Sequence, residues 1–213
     1  MGYLVAEVRW TGFGEITTDA GHKILHYGED SKHQYGITFI VQKKVVDSIV
    51  SCTPISSRLI SIRISVRPYN ITVIQVHAPA SDHEQFYEQL DSIKAKTPKK
   101  DIFVVQGDWN AEVGPDAYQH WAGRKDWHWK EKRQRMKTLR VRKEPPTFPC
   151  QHSLTLTLSR TATWYAPNGQ VNNQINFILT PQHFKSCINK ANTRSLPGAD
   201  IGSDHDLVLQ PSS

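Results

Sequence analysis

A carboxylate and a carboxamide stand two residues apart where an apolar run ends. The run Ile102–Val105 has the length and β-branched character of a buried strand, and it leads through Gly107 to Asp108 and Asn110. If the extended geometry continues past Gly107, Asp108 and Asn110 point to the same side, because strand side chains alternate. Such a pair can hold a water or a substrate oxygen near a metal ion. For this motif alone, a strand followed by an ordinary polar turn is an equal alternative.

A second polar motif, Gly202–Asp206, precedes the apolar run Leu207–Leu209 near the end of the sequence. It contains a carboxylate, Asp204, directly followed by an imidazole, His205. Together, the two motifs favour a catalytic or metal-binding site at Asp108 over an ordinary polar turn.

The elements that must position these residues are mostly strands. Ile60, Ile62 and Ile64 alternate with polar residues, which predicts a strand with one wet face. Thr11–Gly14 is predicted to be a turn. The other apolar runs also predict strands, at Leu4–Trp10, Lys23–Tyr27, Gly36–Val41, Val45–Ser51, Leu59–Val66, Asn70–His77, Thr161–Tyr165, Gln174–Thr180, Phe184–Asn189 and Leu207–Gln210.

One helix is predicted, at Ser81–Lys96. Ser81 and Glu84 form a capping box, apolar residues recur at helical spacing, and Pro98 ends the helix. Many strands, one helix and a further strand favour a layered α/β or α+β sandwich.

The composition predicts one domain over residues 1–213, of which 38% are hydrophobic. We expect no membrane association, because the sequence has neither an apolar run of spanning length nor a basic-then-apolar leader. The odd number of widely spaced cysteines indicates a reducing compartment, and hence an intracellular, nuclear or cytoplasmic, location and no secretion. These cysteines are Cys52, Cys150 and Cys187.

The formal net charge of +6 is concentrated in one segment. Residues 124–144 contain ten lysines and arginines against three acidic residues, so the rest of the chain is close to neutral. A basic run of this kind can bind phosphates, and it can equally be a solvated loop.

Taken together, the polar motifs resemble the endonuclease/exonuclease/phosphatase superfamily. Within it they are most similar to a retrotransposon-type group whose animal members are called craniofacial development protein 2-like. Any one of the matching pieces is weak, but their order along the chain is highly specific. The pieces are Glu7–Gly12, Gln75–Pro79, Gln106–Ala111, Thr163–Trp164, Asn173–Leu179 and Gly198–His205.

The resemblance implies a four-layer α/β sandwich, with two mainly antiparallel sheets flanked by helices. It also implies Mg²⁺- or Mn²⁺-dependent hydrolysis of a phosphodiester, with DNA as the substrate. Glu7 and Asp204 match metal-site carboxylates, which are the hard oxygen ligands that Mg²⁺ prefers. Asp108 matches the carboxylate that positions the attacking water, and Asn110 matches a residue that holds a phosphate oxygen. His205 matches the histidine that stabilises charge on the phosphate.

Four features depart from the family pattern, and three of them are a missing strand and two residue changes. The sequence starts after the family's first strand, so we expect an N-terminally truncated sandwich. His77 stands where the family usually has a tyrosine that contacts phosphate, and histidine can still donate a hydrogen bond. Asn176 stands where an aspartate orients and charges the partner histidine. By analogy with the serine-protease triad, such a change can cost roughly 10⁴-fold in turnover.

The segment 125–152 does not resemble the family, and we predict that it is disordered. The codons for Trp127-His128-Trp129-Lys130, read one base later, give Gly, Ile or Thr, Gly, and Lys or Arg, which recovers a family loop pattern. We interpret the segment as translated from a shifted frame of a decayed element. Its basic charge is then a by-product of that frame.

Two functions remain open from the sequence. One is a DNA endonuclease of retroelement origin, weak or inactive in this copy. The alternative is a catalytically inactive remnant that still binds nucleic acid. A phosphatase acting on phosphoinositides or small molecules is a third, less favoured class. We expect a monomer, and the sequence indicates no protein partner.

Overall fold

The computed structural model describes residues 10–31, 36–79, 84–110, 176–180 and 184, together with short strands in the remainder of the chain. Of residue 177 and of those short strands, only the backbone is described. The chain divides into two compact units. The first comprises residues 1–79 and 83–108, and the second comprises residues 80–82 and 109–213.

The first sheet of the first unit has four antiparallel strands in the order β1-β4-β3-β2. Residues of β3 and β4 that share one face are buried, among them Leu25 and Phe39, which are register partners. The strands are β1 (Tyr3–Ala6), β2 (Gly12–Thr17), β3 (Lys23–Gly28) and β4 (Ile37–Val41).

The second sheet of this unit contains β8, β7, β6 and β5 in that order. β5–β6 and β6–β7 are antiparallel, whereas β7 and β8 are parallel. β5 has two register irregularities and carries Pro54, features that weaken an edge strand as a template for further pairing. The strands are β5 (Ile49–Ser56), β6 (Leu59–Ile64), β7 (Ile71–His77) and β8 (Ile102–Asp108).

The two sheets of the first unit pack face to face, since β4 contacts both β6 and β7. The alternating residues Ile60, Ile62 and Ile64 are all buried, as the sequence predicted for one face of β6. Burial of each such side chain stabilises the fold by about 1.5–3 kcal/mol. The predicted sandwich of two mainly antiparallel sheets is therefore confirmed.

The connection from β7 to β8 contains α2 (Glu84–Lys96). A parallel strand pair needs such a crossover, because a short turn cannot bring the second strand back in the same direction. Phe86 and Leu90 are the buried residues of α2, and they lie four positions apart, on one face of the helix. The end of the helix at Lys96 is as predicted, whereas the predicted start at Ser81 lies outside the described residues.

The second unit contains short strands. β9 (Trp164–Tyr165) pairs with β10 (Asn172–Asn173), and β12 (Arg194–Leu196) pairs with β13 (Leu207–Leu209). β11 spans Asn176–Leu179. The sequence did not predict β10 or β12. The segment 125–152 lies outside the described residues, so its disorder stays a prediction.

Two predicted elements are wrong. The predicted turn at Thr11–Gly14 is instead the start of β2. The predicted strand at Val45–Ser51 overlaps the single-turn helix α1 (Lys43–Val46), and β5 begins only at Ile49. Of the predicted strand Phe184–Asn189 only Phe184 is described, in 3₁₀ conformation, and the rest lies outside the described residues.

The misread start of β2 has a physical cause. A Cβ atom at Gly14 would overlap the imidazole ring of His26 on the adjacent strand. His26 in turn meets the ring of Trp10 edge-on, with centroids 4.9 Å apart. The glycine therefore makes room for a side chain packed across the strand, whereas the sequence alone suggested a turn.

Candidate active site at the carboxyl ends of β7 and β8

Asp108 is the last residue of β8, and its side chain is only 2% exposed. The preceding residue, Gly107, has a φ of 137°, and a Cβ atom there would overlap the carbonyl oxygen of Val76 in β7. Only glycine allows this backbone angle and this close approach. Gly107 thus fixes the position from which the Asp108 carboxylate projects.

His77 is the last residue of β7 and the register partner of Asp108 in the parallel pair. The N–H of Ala78 donates to the carbonyl oxygen of Asp108 at 2.8 Å, which ties the two strand ends together. Register partners on neighbouring strands share a face of the sheet, so the two side chains lie side by side. The structure therefore brings together two of the residues that the sequence predicted for a site.

A second polar pair lies one pleat deeper on the same face. Gln75 and Gln106 are register partners, each two residues before His77 and Asp108 respectively. Gln75 is 1% exposed, and its side-chain oxygen accepts no hydrogen bond from any described residue. Burying an amide oxygen without a hydrogen bond costs about 1–3 kcal/mol. Gln75 therefore stabilises the folded sheet less than an apolar side chain at the same position would.

Arg58, which precedes β6, is a further residue at this end of the sheet. Its Nη1 donates to the carbonyl oxygen of His77 at 3.2 Å, and the N–H of His77 donates to the carbonyl oxygen of Arg58 at 3.0 Å. The N–H of Arg58 is 3.4 Å from Oγ of Ser56, which helps to shape the turn before β6. The sequence reasoning missed Arg58, because one arginine in a short connection between strands has no motif.

The other predicted residues belong to the second unit or lie outside the described residues. β8 ends at Asp108 and Asn110 has a φ of 46°, so the assumption that extended geometry runs on to Asn110 is wrong. Asn110 and Asn176, both half-buried, belong to the second compact unit. Glu7, Asp204 and His205 lie outside the described residues, and their roles stay predictions.

The part of the chain that the structure describes contains no group of three or more His, Cys, Asp or Glu residues able to hold a metal ion. Within that part Asp108 supplies one hard oxygen donor at the strand ends. The carboxylates of Glu7 and Asp204 would be needed to complete an oxygen-rich set, and such a set suits Mg²⁺ or Mn²⁺. The same described residues include no helix with the length and apolarity to cross a membrane.

Comparison with known proteins gives matches along nearly the whole chain. The sequence profile of the endonuclease/exonuclease/phosphatase family matches residues 4–205. Craniofacial development protein 2 from Bos taurus is 35% identical over 218 residues, covering 96% of this chain and 35% of the relative. The protein of the same name from Tragulus javanicus is 34% identical, covering 96% and 36%. The chain thus spans about a third of the length of these relatives.

Solved structures give the same fold. The endonuclease domain of TRAS1, a telomere-specific non-LTR retrotransposon, superposes with a TM-score of 0.57 at 14% identity, covering 93% of this chain and 85% of that one. The AP endonuclease LMAP from Leishmania major also has a TM-score of 0.57, at 10% identity, covering 91% and 71%. The superpositions show a shared sandwich fold. At identities this low they do not show a shared activity.

Proposed function

Because the chain belongs to the endonuclease/exonuclease/phosphatase family, we propose that it hydrolyses phosphodiester bonds in DNA with the aid of Mg²⁺ or Mn²⁺. One observation carries this proposal. Asp108 and His77 are buried side by side where two parallel strands end, and Gly107, whose positive φ and close approach to Val76 strongly disfavour a side chain, fixes the position of Asp108. In open α/β sheets, ligands bind outside the carboxyl ends of the strands.

The residue types suit phosphoryl transfer. Asp108 orients the attacking water by accepting its hydrogen bond, and His77 donates a hydrogen bond to a phosphate oxygen. Glu7 and Asp204 would hold the divalent ion, and the bound ion supplies charge neutralisation at the phosphate. Asn110 and His205 would contact the remaining phosphate oxygens.

We propose that turnover in this chain is low because of Asn176. The carboxamide of Asn176 can accept a hydrogen bond from His205 but adds no negative charge, so His205 is held less readily as an imidazolium. The loss expected from a change of this kind is roughly 10⁴-fold.

A second candidate is a non-catalytic domain that still binds nucleic acid. Asn176 favours this second candidate. A domain that no longer cleaves DNA is little affected when asparagine replaces the family's aspartate at this position. The basic residues at 124–144 would supply sequence-independent attraction to phosphates. In both candidates the protein acts as an intracellular monomer.

Nicking of supercoiled DNA by the purified chain separates the two candidates. We expect slow nicking that needs Mg²⁺, disappears in the Asp108→Asn variant and rises in the Asn176→Asp variant. Absence of nicking in both the wild type and Asn176→Asp, with DNA binding retained, would favour the non-catalytic domain.

A further inference from the structure

We infer that Trp10 stacks on an unpaired nucleobase of the DNA substrate. The inference deepens the proposed function and rests on it for the identity of the substrate. Base stacking can be measured by binding alone, without turnover, so the two proposals can fail separately.

Trp10 is held firmly in place, yet it is 43% exposed. It lies just before β2, and a Cβ atom at Gly28 of β3 would overlap its carbonyl oxygen, so the backbone of Trp10 packs directly against that strand. The imidazole of His26 meets the indole edge-on, with the ring centroids 4.9 Å apart. Both the backbone and the ring of Trp10 are therefore fixed by β3.

Two glycines make this arrangement possible. Gly28 leaves space for the backbone of Trp10, and Gly14, the register partner of His26, leaves space for the imidazole that supports the indole. Nδ1 of His26 is buried and forms no hydrogen bond with any described residue, so packing against Trp10 and Gly14 places this ring. A large ring that is fixed but left partly in water gains little from folding, whereas a ligand gains from a surface that is already ordered.

The surroundings of the indole suit a neutral, flat ligand. Burial lowers the pKa of the His26 imidazole below its usual value, so the ring beside Trp10 is neutral at neutral pH. The carboxylate of Asp30 lies at the start of β2, with Oδ1 3.5 Å from the place that a Cβ of Gly12 would occupy. This carboxylate repels a phosphate, whereas a nucleobase can stack on an indole whatever its sequence.

The connection that carries Trp10 starts beside the strands of the candidate active site. It joins β1 to β2, and β1 contacts both β7 and β8, which end in His77 and Asp108. Glu7, which is proposed to hold the divalent ion, precedes Trp10 by three positions, and three residues span at most about 11 Å. A base on the indole thus belongs to a nucleotide near the cleaved bond. Bases inside a duplex already stack on each other, so the base that Trp10 contacts is an unpaired one.

The test compares a labelled oligothymidylate with an abasic oligonucleotide of the same length, which keeps the phosphates and lacks the bases. Binding of the purified chain to each is followed by fluorescence anisotropy in EDTA over a range of salt concentrations. Tyr69→Ala is the matched control, since Tyr69 is 51% exposed and lies in the connection between β6 and β7. Circular dichroism and thermal melts verify that each variant is folded.

We expect Trp10→Ala to weaken binding of the oligothymidylate about tenfold, the loss of one stacked base, and to leave binding of the abasic strand unchanged. The slope of log K against log salt should stay the same, because no phosphate contact is removed. Trp10→Leu, which keeps an apolar side chain without a flat ring, should behave like Trp10→Ala. Trp10→Phe should retain most of the preference for bases, and Tyr69→Ala all of it.

Three results would overturn the inference: wild-type affinity of Trp10→Ala and Trp10→Leu for the oligothymidylate, equal losses of affinity for both oligonucleotides, or no binding by the wild type. A preference for bases that depends on Trp10, without any nicking, would uphold the inference while removing the proposed catalysis. Nicking by a wild type that binds both oligonucleotides equally would remove the inference and leave the proposed function in place.

Discussion

Two buried aspartates flank β8, and their surroundings differ. Asp101, directly before the strand, is 3% exposed and accepts hydrogen bonds from Arg63 and from Oγ1 of Thr72, the latter at 2.8 Å. Asp108, at the other end, is equally buried but lies beside His77, with the Arg58 guanidinium bound to the same strand end. Burial alone therefore does not identify a functional carboxylate.

The electrostatic surroundings of Asp101 explain why it has a structural role. Hydrogen bonds from Arg63 hold the pKa of Asp101 below its usual value, and they outweigh the opposing effect of burial. The bond from Thr72 acts in the same direction as Arg63. A carboxylate stabilised in its charged form by fixed partners contributes to folding and is poorly suited to handle a moving proton. The contrast predicts that changes at the two ends will affect different properties of the protein.

Asp108→Asn should have the largest effect. We expect the nicking rate to fall at least ~10³-fold, because the group that orients the attacking water is replaced by one that cannot accept its proton. The matched change at the other end, Asp101→Asn, should leave the rate per folded molecule nearly unchanged well below its melting temperature. Comparable losses of nicking in the two variants would remove the distinction between the ends.

Gly107→Ala should have the second-largest effect, which is a decrease in the free energy of unfolding. We expect a loss of about 3 kcal/mol in urea unfolding, from the unfavourable φ and the overlap with the Val76 carbonyl. Gly12→Ala is the control, since Gly12 has a φ of 65° but an added Cβ would be 3.5 Å from its nearest neighbour. Its loss should be about 1 kcal/mol. Equal losses would show that the close approach of β8 to β7 has no energetic weight.

Asp101→Asn should lower the free energy of unfolding by about 2 kcal/mol, because it replaces charge-assisted hydrogen bonds in a buried position. In a chain of this length the melting temperature should drop by about 4–8 °C. Asp19→Asn, at an exposed turn, should change it by less than about 1 °C. A stable Asp101→Asn protein would mean that the ion pair with Arg63 contributes little to folding.

The smallest effect is the pH dependence of that stability. Because the folded-state pKa of Asp101 is lowered, its contribution is complete above the unfolded pKa of about 3.9 and is lost as the pH falls through the folded-state value. The difference in unfolding free energy between the wild type and Asp101→Asn should therefore be constant from pH 7 to about 5 and shrink below pH 4. A difference that grows on acidification would contradict the assigned direction.

The sequence predicted β6, β7 and β8 of the second sheet well because these strands have clear local patterns. The alternation at Ile60, Ile62 and Ile64 and the apolar run before Gly107 each correspond to a strand in the structure. At β2 the prediction failed, because Gly14 is required by the ring of His26, which is distant in sequence. A contact made across strands leaves no local sequence signal.

The candidate site was predictable in part for the same reason. Asp108 and His77 each end a recognisable strand, and their motifs resemble a known family. Arg58 was not predictable, since its relevance depends on which strand end it contacts. The conformation of Asn110 was not predictable either, because its left-handed φ departs from the regular geometry that the spacing rule assumed.

The parallel pairing of β7 and β8 has a consequence for how the protein folds. β5, β6 and β7 are joined by short connections and pair with sequence neighbours, so their contacts form at a low cost in chain entropy. The β7–β8 pair forms only after the whole crossover through α2 has closed, which makes it a slower, non-local step. His77 and Asp108 therefore become neighbours late in folding, and a probe of their proximity would report completion of the sheet.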